Sequence, residues 1–316
     1  MALPPYFSRV ADAAAPRLRG LPNDALAERL EAEPLVLSCG EAAEDPGLRE
    51  GYLLATNLAA RFYPRLVIDA EDDLAAQARQ LAESVNPQIE FEESGELRLV
   101  FSGEQPPERG VAVFASGWNV AIDGANAAEA SGAPAPPAAL AAAALGIGEI
   151  FRIVFADLLP RGRTGPEPRS LDLVSLEPWG DAPLRQQFQI DRTHLAGGGA
   201  IGQAAGLTLR AAGAKGKLVV VDPEPLEEPN LQRYLLAVLD DVERPKALIL
   251  KRALAGSGLE VVEARTHWGA DERSAPGQNT VLVALDSGDD RIGVQAGLHG
   301  RIYNCLLYTS DAADDL

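Results

Sequence analysis

The chain is 316 residues long with a formal net charge of −18, which argues against nucleic acid as its main partner, because a phosphate backbone is neutralised by clustered Lys and Arg. Hydrophobic residues at 47% and charged residues at 23% supply two ordinary cores, and the length predicts two domains. Of the two cysteines, Cys305 falls in a terminal stretch set aside below and Cys39 then has no disulfide partner; with no basic stretch and apolar core at the N-terminus, a cytoplasmic protein is expected.

In chain order, Leu21 to Ala32 reads as an amphipathic helix opened by Asn23 or Asp24, and Leu35 to Ser38 as a short strand ending in Cys39-Gly40. A helix from Gly47 to Phe62 carries Leu48, Tyr52, Leu53, Leu54 and Leu58 on one side and is stopped by Pro64. Strand Leu66 to Ile68, helix Asp72 to Ser84, and strands Glu96 to Phe101 and Gly110 to Ala115 follow. Strand–helix–strand order predicts a parallel sheet with crossover helices. Where a glycine turn would cradle phosphate, the sequence reads CGEAAEDPG, and Glu41, Glu44 and Asp45 would repel an anion. Residues 1–185 are therefore expected to form a degenerate, non-catalytic Rossmann-like domain. Cys39 is read as a small buried strand-end residue rather than a nucleophile, and Trp118, beside Asn119, as a packed tryptophan. Ser131 to Pro137 is a Pro/Ala loop. Pro137 to Leu159 is an apolar helix that carries Glu149 and Arg152 and is expected to be buried between domains rather than to span a membrane. Pro160 to Pro168 is a connector.

The α/β pattern resumes over residues 186–304. Gln187 to Ile190 forms a lead-in and His194 to Ala196 the end of a strand, followed by a G-x-G-x-x-G turn at Gly197, Gly199 and Gly202. Helix Ala200 to Ala212 stops at Gly213, and strand Leu218 to Val221 delivers Asp222, twenty residues after Gly202. Such a turn lets backbone amides and a helix N-terminus face a phosphate, and an acid at the next strand end suits ribose hydroxyls. GAKGK at Gly213 to Lys217 has the wrong spacing for a Walker A loop and is read as a helix end. An N-L-Q-R tetrad, Asn230 to Arg233, and then Lys246 add polar and cationic groups that suit a triphosphate. His194, His267 and His299 lack metal-ligand spacing and are read as structural. Residues 305–316, CLLYTSDAADDL, read as translated sequencing-adapter sequence, so the second domain is expected to be truncated.

From Ala196 to Gln295 the chain resembles the ThiF/MoeB/HesA family of the ubiquitin-activating enzyme superfamily. That family carries a G-x-G-G-x-G turn, then D-x-D, S-N-L-x-R-Q, a lysine in a G-x-x-K context, and a late L-D-x-x-D-N. The matching segments are Gly197 to Gly202, Asp222-Pro223-Glu224, Pro229 to Tyr234, Glu243 to Lys246, and Leu285 to Asp290. Ala200, Glu224, Pro229 and Tyr234 depart from the pattern at single positions.

The resemblance implies a Rossmann-like parallel sheet with flanking helices and ATP as the nucleotide. Gly197, Gly199 and Gly202 would form the phosphate turn, and Asp222 would bind the ribose. Asn230, Arg233 and Lys246 would contact the triphosphate, and Asp289 would hold Mg²⁺. Arg233, Lys246 and Asp289 thereby become the catalytic set, neutralising charge as a carboxylate attacks the α-phosphate. Asp286 either orients the metal or caps the following helix, and Asp290 stands outside the first ring of ligands. Arg185 or Arg192 would match an N-terminal arginine of the family. The implied partner is a ubiquitin-like or sulfur-carrier protein, with a homodimer or an internal pseudo-dimer as the assembly. Two other readings stay open. An NAD(P)-dependent oxidoreductase would leave Asn230, Arg233 and Lys246 without a task. A scaffold that binds a ubiquitin-like protein without activating it would leave the phosphate and metal positions without one.

Overall fold

The computed structural model describes residues 4, 6–8, 18, 20–40, 44–101, 106–123, 132–159, 169–184, 188–270 and 277–304. They divide into two units, the first reaching to Leu184 and including Glu228–Arg233 and Val238–Asp240, the second holding the rest. Glu41, Arg185 and residues 305–316 lie outside the described residues, as do Ser131 and the connector at 160–168.

The first unit begins with helix α1 (Asn23–Glu31) and strand β1 (Leu35–Ser38), then α2 (Pro46–Ala59), β2 (Arg65–Asp69), α3 (Asp72–Val85), β3 (Glu90–Phe91), β4 (Leu97–Phe101) and β5 (Gly110–Ser116). The strands stand in the order β3-β2-β1-β4-β5, all parallel. Two further strands, β6 (Asn119–Ile122) and β7 (Arg169–Asp172), extend the sheet antiparallel, where only a parallel sheet was predicted. Asn119 opens β6, its side-chain amide pairing with both backbone groups of Gly180 at 2.8 and 2.9 Å. The half-buried Trp118 donates its indole N–H to the Pro183 carbonyl at 3.3 Å.

Helix α2 starts on Pro46, and the Asp45 carboxylate caps it, accepting from the N–H groups of Gly47 at 2.8 Å and Leu48 at 3.0 Å. Its buried face includes Tyr52, whose hydroxyl donates to the Leu37 carbonyl at 3.0 Å and whose ring meets Phe101 edge-on. Burying a side chain of that size contributes roughly 1.5–3 kcal/mol. Gly51 lets α2 approach helix α4 (Pro136–Val154), since a Cβ there would stand 2.7 Å from the Ala139 carbonyl oxygen. Helix α4 is long and apolar enough to cross a membrane by length and composition. Its buried residues, Ala138 to Ile150, belong to the core of this unit. The Glu149 carboxylate on α4 pairs with both Arg152 and Arg169 at 2.6 Å. Cys39 is buried at the end of β1, where burial pushes its thiol up to about 12, so it is no nucleophile at neutral pH.

The second unit contains β8 (Phe188–Ala196), α5 (Ala200–Ala211), β9 (Ala214–Val221), α6 (Lys246–Ala253), β10 (Leu259–Ala264), β11 (Thr280–Val283), α7 (Gly288–Ala296) and β12 (Arg301–Asn304). Its five strands are parallel in the order β10-β9-β8-β11-β12. Counted from each unit's first strand, both sheets begin 3-2-1-4-5. This is the half-order of a doubly wound fold, with its ligand crevice beside strand 1. Strand β8 is one continuous element with a register shift between Ile190 and Thr193, where two separate pieces were predicted. Strand β9 starts at Ala214, so GAKGK is the entry of a strand rather than a helix end. Gly216 permits this: at φ +132° a Cβ would lie 1.8 Å from the Ile190 carbonyl oxygen across the pair.

Candidate functional site

The chain leaves β8 at Ala196 and must turn sharply at the carboxyl edge of the sheet. Gly197 makes the turn at φ +98°, and a Cβ there would strike the Ala284 carbonyl oxygen at 2.7 Å. At Gly202 a Cβ would fall 2.1 Å from the Gly197 carbonyl oxygen, so the first turn of α5 packs directly on the loop before it. Gly198 leaves room for Lys246, Asp222 and Leu250, each with an atom 3.2–3.3 Å from where its Cβ would be. Gly199 is the N-cap of α5, and no side chain caps that helix. The first-turn amides of Ala200, Ile201 and Gly202 have no acceptor within the helix, and this end carries the positive pole of the dipole. The corresponding helix of the first unit, α2, is closed by Asp45.

Two of the amides in the turn face inward. Gly197 donates to the Val221 carbonyl at 2.9 Å. Gly198 donates to Asp222 Oδ2 at 2.7 Å. The donors left for an anion therefore belong to the helix end, beyond Gly198.

Asp222 is buried, with its other oxygen, Oδ1, accepting the Glu224 N–H at 2.8 Å. Burial raises its carboxyl pKa, against the two N–H donors and Lys246, which lower it. It thus braces the turn, while each oxygen keeps a second lone pair for a hydroxyl donor. Lys246 opens α6, and its N–H donates to the Glu224 carbonyl at 3.0 Å. Its Nζ lies 2.6 Å from Glu224 Oε2 and 5.5 Å from the centre of the Tyr234 ring. Burial pulls the Lys246 pKa down, but the Glu224 hydrogen bond, Tyr234 and Asp222 together hold it above the ordinary lysine value. Lys246 is therefore a fixed, buried cation on the wall of the glycine turn. The Tyr234 hydroxyl lies beside Gly199, 3.1 Å from where a Cβ would be. Glu224 and Tyr234 look like mere departures from a motif in the sequence; their positions around Lys246 give them a local role.

The second unit thus brings together Gly197, Gly199, Gly202, Asp222 and Lys246. Asn230 lies on the 3₁₀ turn Glu228–Gln232 and Arg233 just past it, within the segment that folds with the first unit. The Arg233 N–H closes the turn on the Asn230 carbonyl at 3.1 Å, and the Arg233 side chain is exposed. Asp289 is exposed in the first turn of α7. Ser287 caps α7, accepting from the Asp290 N–H at 3.2 Å, so Asp286 is not the cap, and both Asp286 and Asp290 are exposed. Among the described residues no group of three His, Cys, Asp or Glu could hold a metal. A Mg²⁺ at Asp289 would take most of its ligands from phosphate and water, which is the usual manner of that ion. His194 is buried edge-on to Trp268, which in turn meets His299, so this pair of histidines packs an aromatic cluster. Arg192 is exposed.

Residues 172–295 match the ThiF family, and residues 37–163 match the BilD N-terminal domain. Uncharacterized protein y4jF of Sinorhizobium fredii (strain NBRC 101917 / NGR234) is 32% identical over 331 aligned residues, covering 98% of this chain and 63% of y4jF. The chain thus spans less than two thirds of the length of that curated relative. Among solved structures, E. coli MccB with ATP is 25% identical, with a TM-score of 0.30, over 33% of this chain and 32% of that one. E. coli MccB with MccA-N7isoASN is 24% identical, with a TM-score of 0.29, over 33% and 31%. The fold assignment rests on the strand order, not on these partial overlaps.

Proposed function

We propose, from the match of residues 172–295 to the ThiF family, that the chain takes part in ATP-dependent adenylyl transfer to a carboxylate. The acceptor in this reading is the C-terminal carboxylate of a ubiquitin-like or sulfur-carrier protein. Its oxygen attacks the α-phosphate, the bond to the β-phosphate breaks, and pyrophosphate leaves an acyl-adenylate. Both reactants are anionic, so the protein's task is to position them and to neutralise charge.

One observation carries the reading: the uncapped N-terminus of α5 opens beside the buried Lys246 ammonium, with Asp222 bracing the glycine turn between them. Anion-binding amides, a fixed cation and an acid with spare acceptor capacity fit a nucleoside triphosphate. Gly199 and Gly202 would let the phosphates approach the backbone, Asp222 would accept from the ribose, and Lys246, Asn230 and Arg233 would bind the phosphate oxygens. Asp289 would hold Mg²⁺, whose contribution when bound is to offset charge on the departing pyrophosphate. The first unit, with Asp45 across its own helix end, is proposed to be non-catalytic and to serve as an internal pseudo-dimer partner.

Titration calorimetry with Mg-ATP and, separately, NAD tests this. Saturable Mg-ATP binding that Asp222→Ala abolishes, with no response to NAD, is the expected outcome. NAD binding in place of ATP would overturn it in favour of an oxidoreductase. Mg-ATP binding without pyrophosphate exchange in the presence of a carrier protein would leave the scaffold reading in its place.

A further inference from the structure

We propose that Arg61 is a positioning residue that fixes the Asn230–Arg233 turn; its role in catalysis rests on the adenylation reading above. Arg61 lies just beyond α2, and its side chain is fully buried in the first unit. Its Nε donates to Asn57 Oδ1 at 3.0 Å, and its Nη1 donates to the Leu231 carbonyl oxygen, 170 residues further along the chain. Leu231 is the second residue of the N-L-Q-R tetrad, and its side chain is also buried. The Arg233 N–H closes on the Asn230 carbonyl at 3.1 Å. The backbone between Asn230 and Arg233 is thus held by a turn hydrogen bond and by a guanidinium on its central carbonyl.

Burying a guanidinium costs desolvation that well-placed hydrogen bonds must offset. Burial lowers its pKa to about 10, which still leaves it charged at neutral pH. A charged donor binds a carbonyl more strongly than a neutral one, and the planar fork satisfies Asn57 and Leu231 from fixed directions. A lysine carries its three donors on one rotating atom and lacks the planar fork. Arg61 thereby sets where the side chains of Asn230 and Arg233 leave the backbone without itself reaching a phosphate.

The test uses Arg61→Gln and Arg61→Lys in the full chain. Amide hydrogen exchange should rise about ten-fold or more in the peptide covering 228–233 of Arg61→Gln, while β1 and β4 keep wild-type protection. Arg61→Lys should give a smaller rise, and it carries the test if Arg61→Gln fails to fold. Pyrophosphate exchange should fall with either variant, and Arg61→Gln combined with Arg233→Ala should lose less than the two single losses multiplied together, because only the placing of Asn230 is left to disturb. Unchanged protection of the turn in both variants, or losses that multiply in the double variant, would overturn the proposal. Absence of Mg-ATP binding and exchange in the wild-type chain would instead sink the adenylation reading, and hydrogen exchange would then decide the clamp by itself.

Discussion

At the scale of single residues, the Lys246 ammonium is a buried charge held by Glu224 beside the Tyr234 ring. Lys246→Met keeps the stem over Tyr234 and removes the charge. If the ammonium neutralises phosphate in the transition state, pyrophosphate exchange should fall by about 10²–10³-fold, a loss of roughly 3–4 kcal/mol. Arg233→Ala should fall in the same range, read as kcat/KM for ATP. Glu224 offers a pH test. The folded pKa of Lys246 is raised, so the pair's stabilisation is fully present below the ordinary lysine value and is lost as pH rises through the raised one. Glu224→Gln removes the hydrogen bond to the carboxylate and leaves only Tyr234 and Asp222 to oppose the downward pull of burial on that pKa. Because Glu224 is 66% exposed, the cost near neutral pH should be only about 1 kcal/mol. Thermal unfolding between pH 8 and 11 should therefore show the variant losing its lysine-linked stability at lower pH than the wild type; coincident curves would count against the pair.

At the scale of elements, the glycine turn and α5 stand or fall together. Gly202→Ala forces a methyl group to within 2.1 Å of the Gly197 carbonyl, backbone against backbone, and should cost about 3 kcal/mol or more in chemical denaturation. Gly198→Ala meets its neighbours at 3.2–3.3 Å, and one of them is a lysine stem, so its cost should be clearly smaller. In the first unit Asp45→Ala removes a cap and should cost roughly 1 kcal/mol without altering Mg-ATP binding. Much of this was legible beforehand. The helices and parallel strands follow from apolar periodicity, and the glycine turn, Asp222 and Lys246 from motif order. The antiparallel strands β6 and β7 were not, because each is four residues long and its pairing depends on partners distant in sequence. The entry of β9 hid behind two glycines that signal a turn. Arg61 was invisible for a simpler reason: a helix-end arginine reads as a solvated charge until its partner, 170 residues away, is known.

At the scale of the whole molecule, one strand order appears twice, and the two copies differ in what closes the helix after the first strand. The similarity of residues 37–163 to the BilD N-terminal domain and of 172–295 to the ThiF family follows the same division. The difference between the copies predicts one nucleotide per chain, and calorimetric stoichiometry near two would contradict it. Asp45 can be regarded as the first unit's own ligand. A carboxylate tethered two and three residues from the amides it occupies is present at an effective concentration on the order of millimolar or above. A free phosphate must outcompete that tethered anion for donors it never vacates by diffusion, whereas the second unit's helix end has no resident competitor of its own.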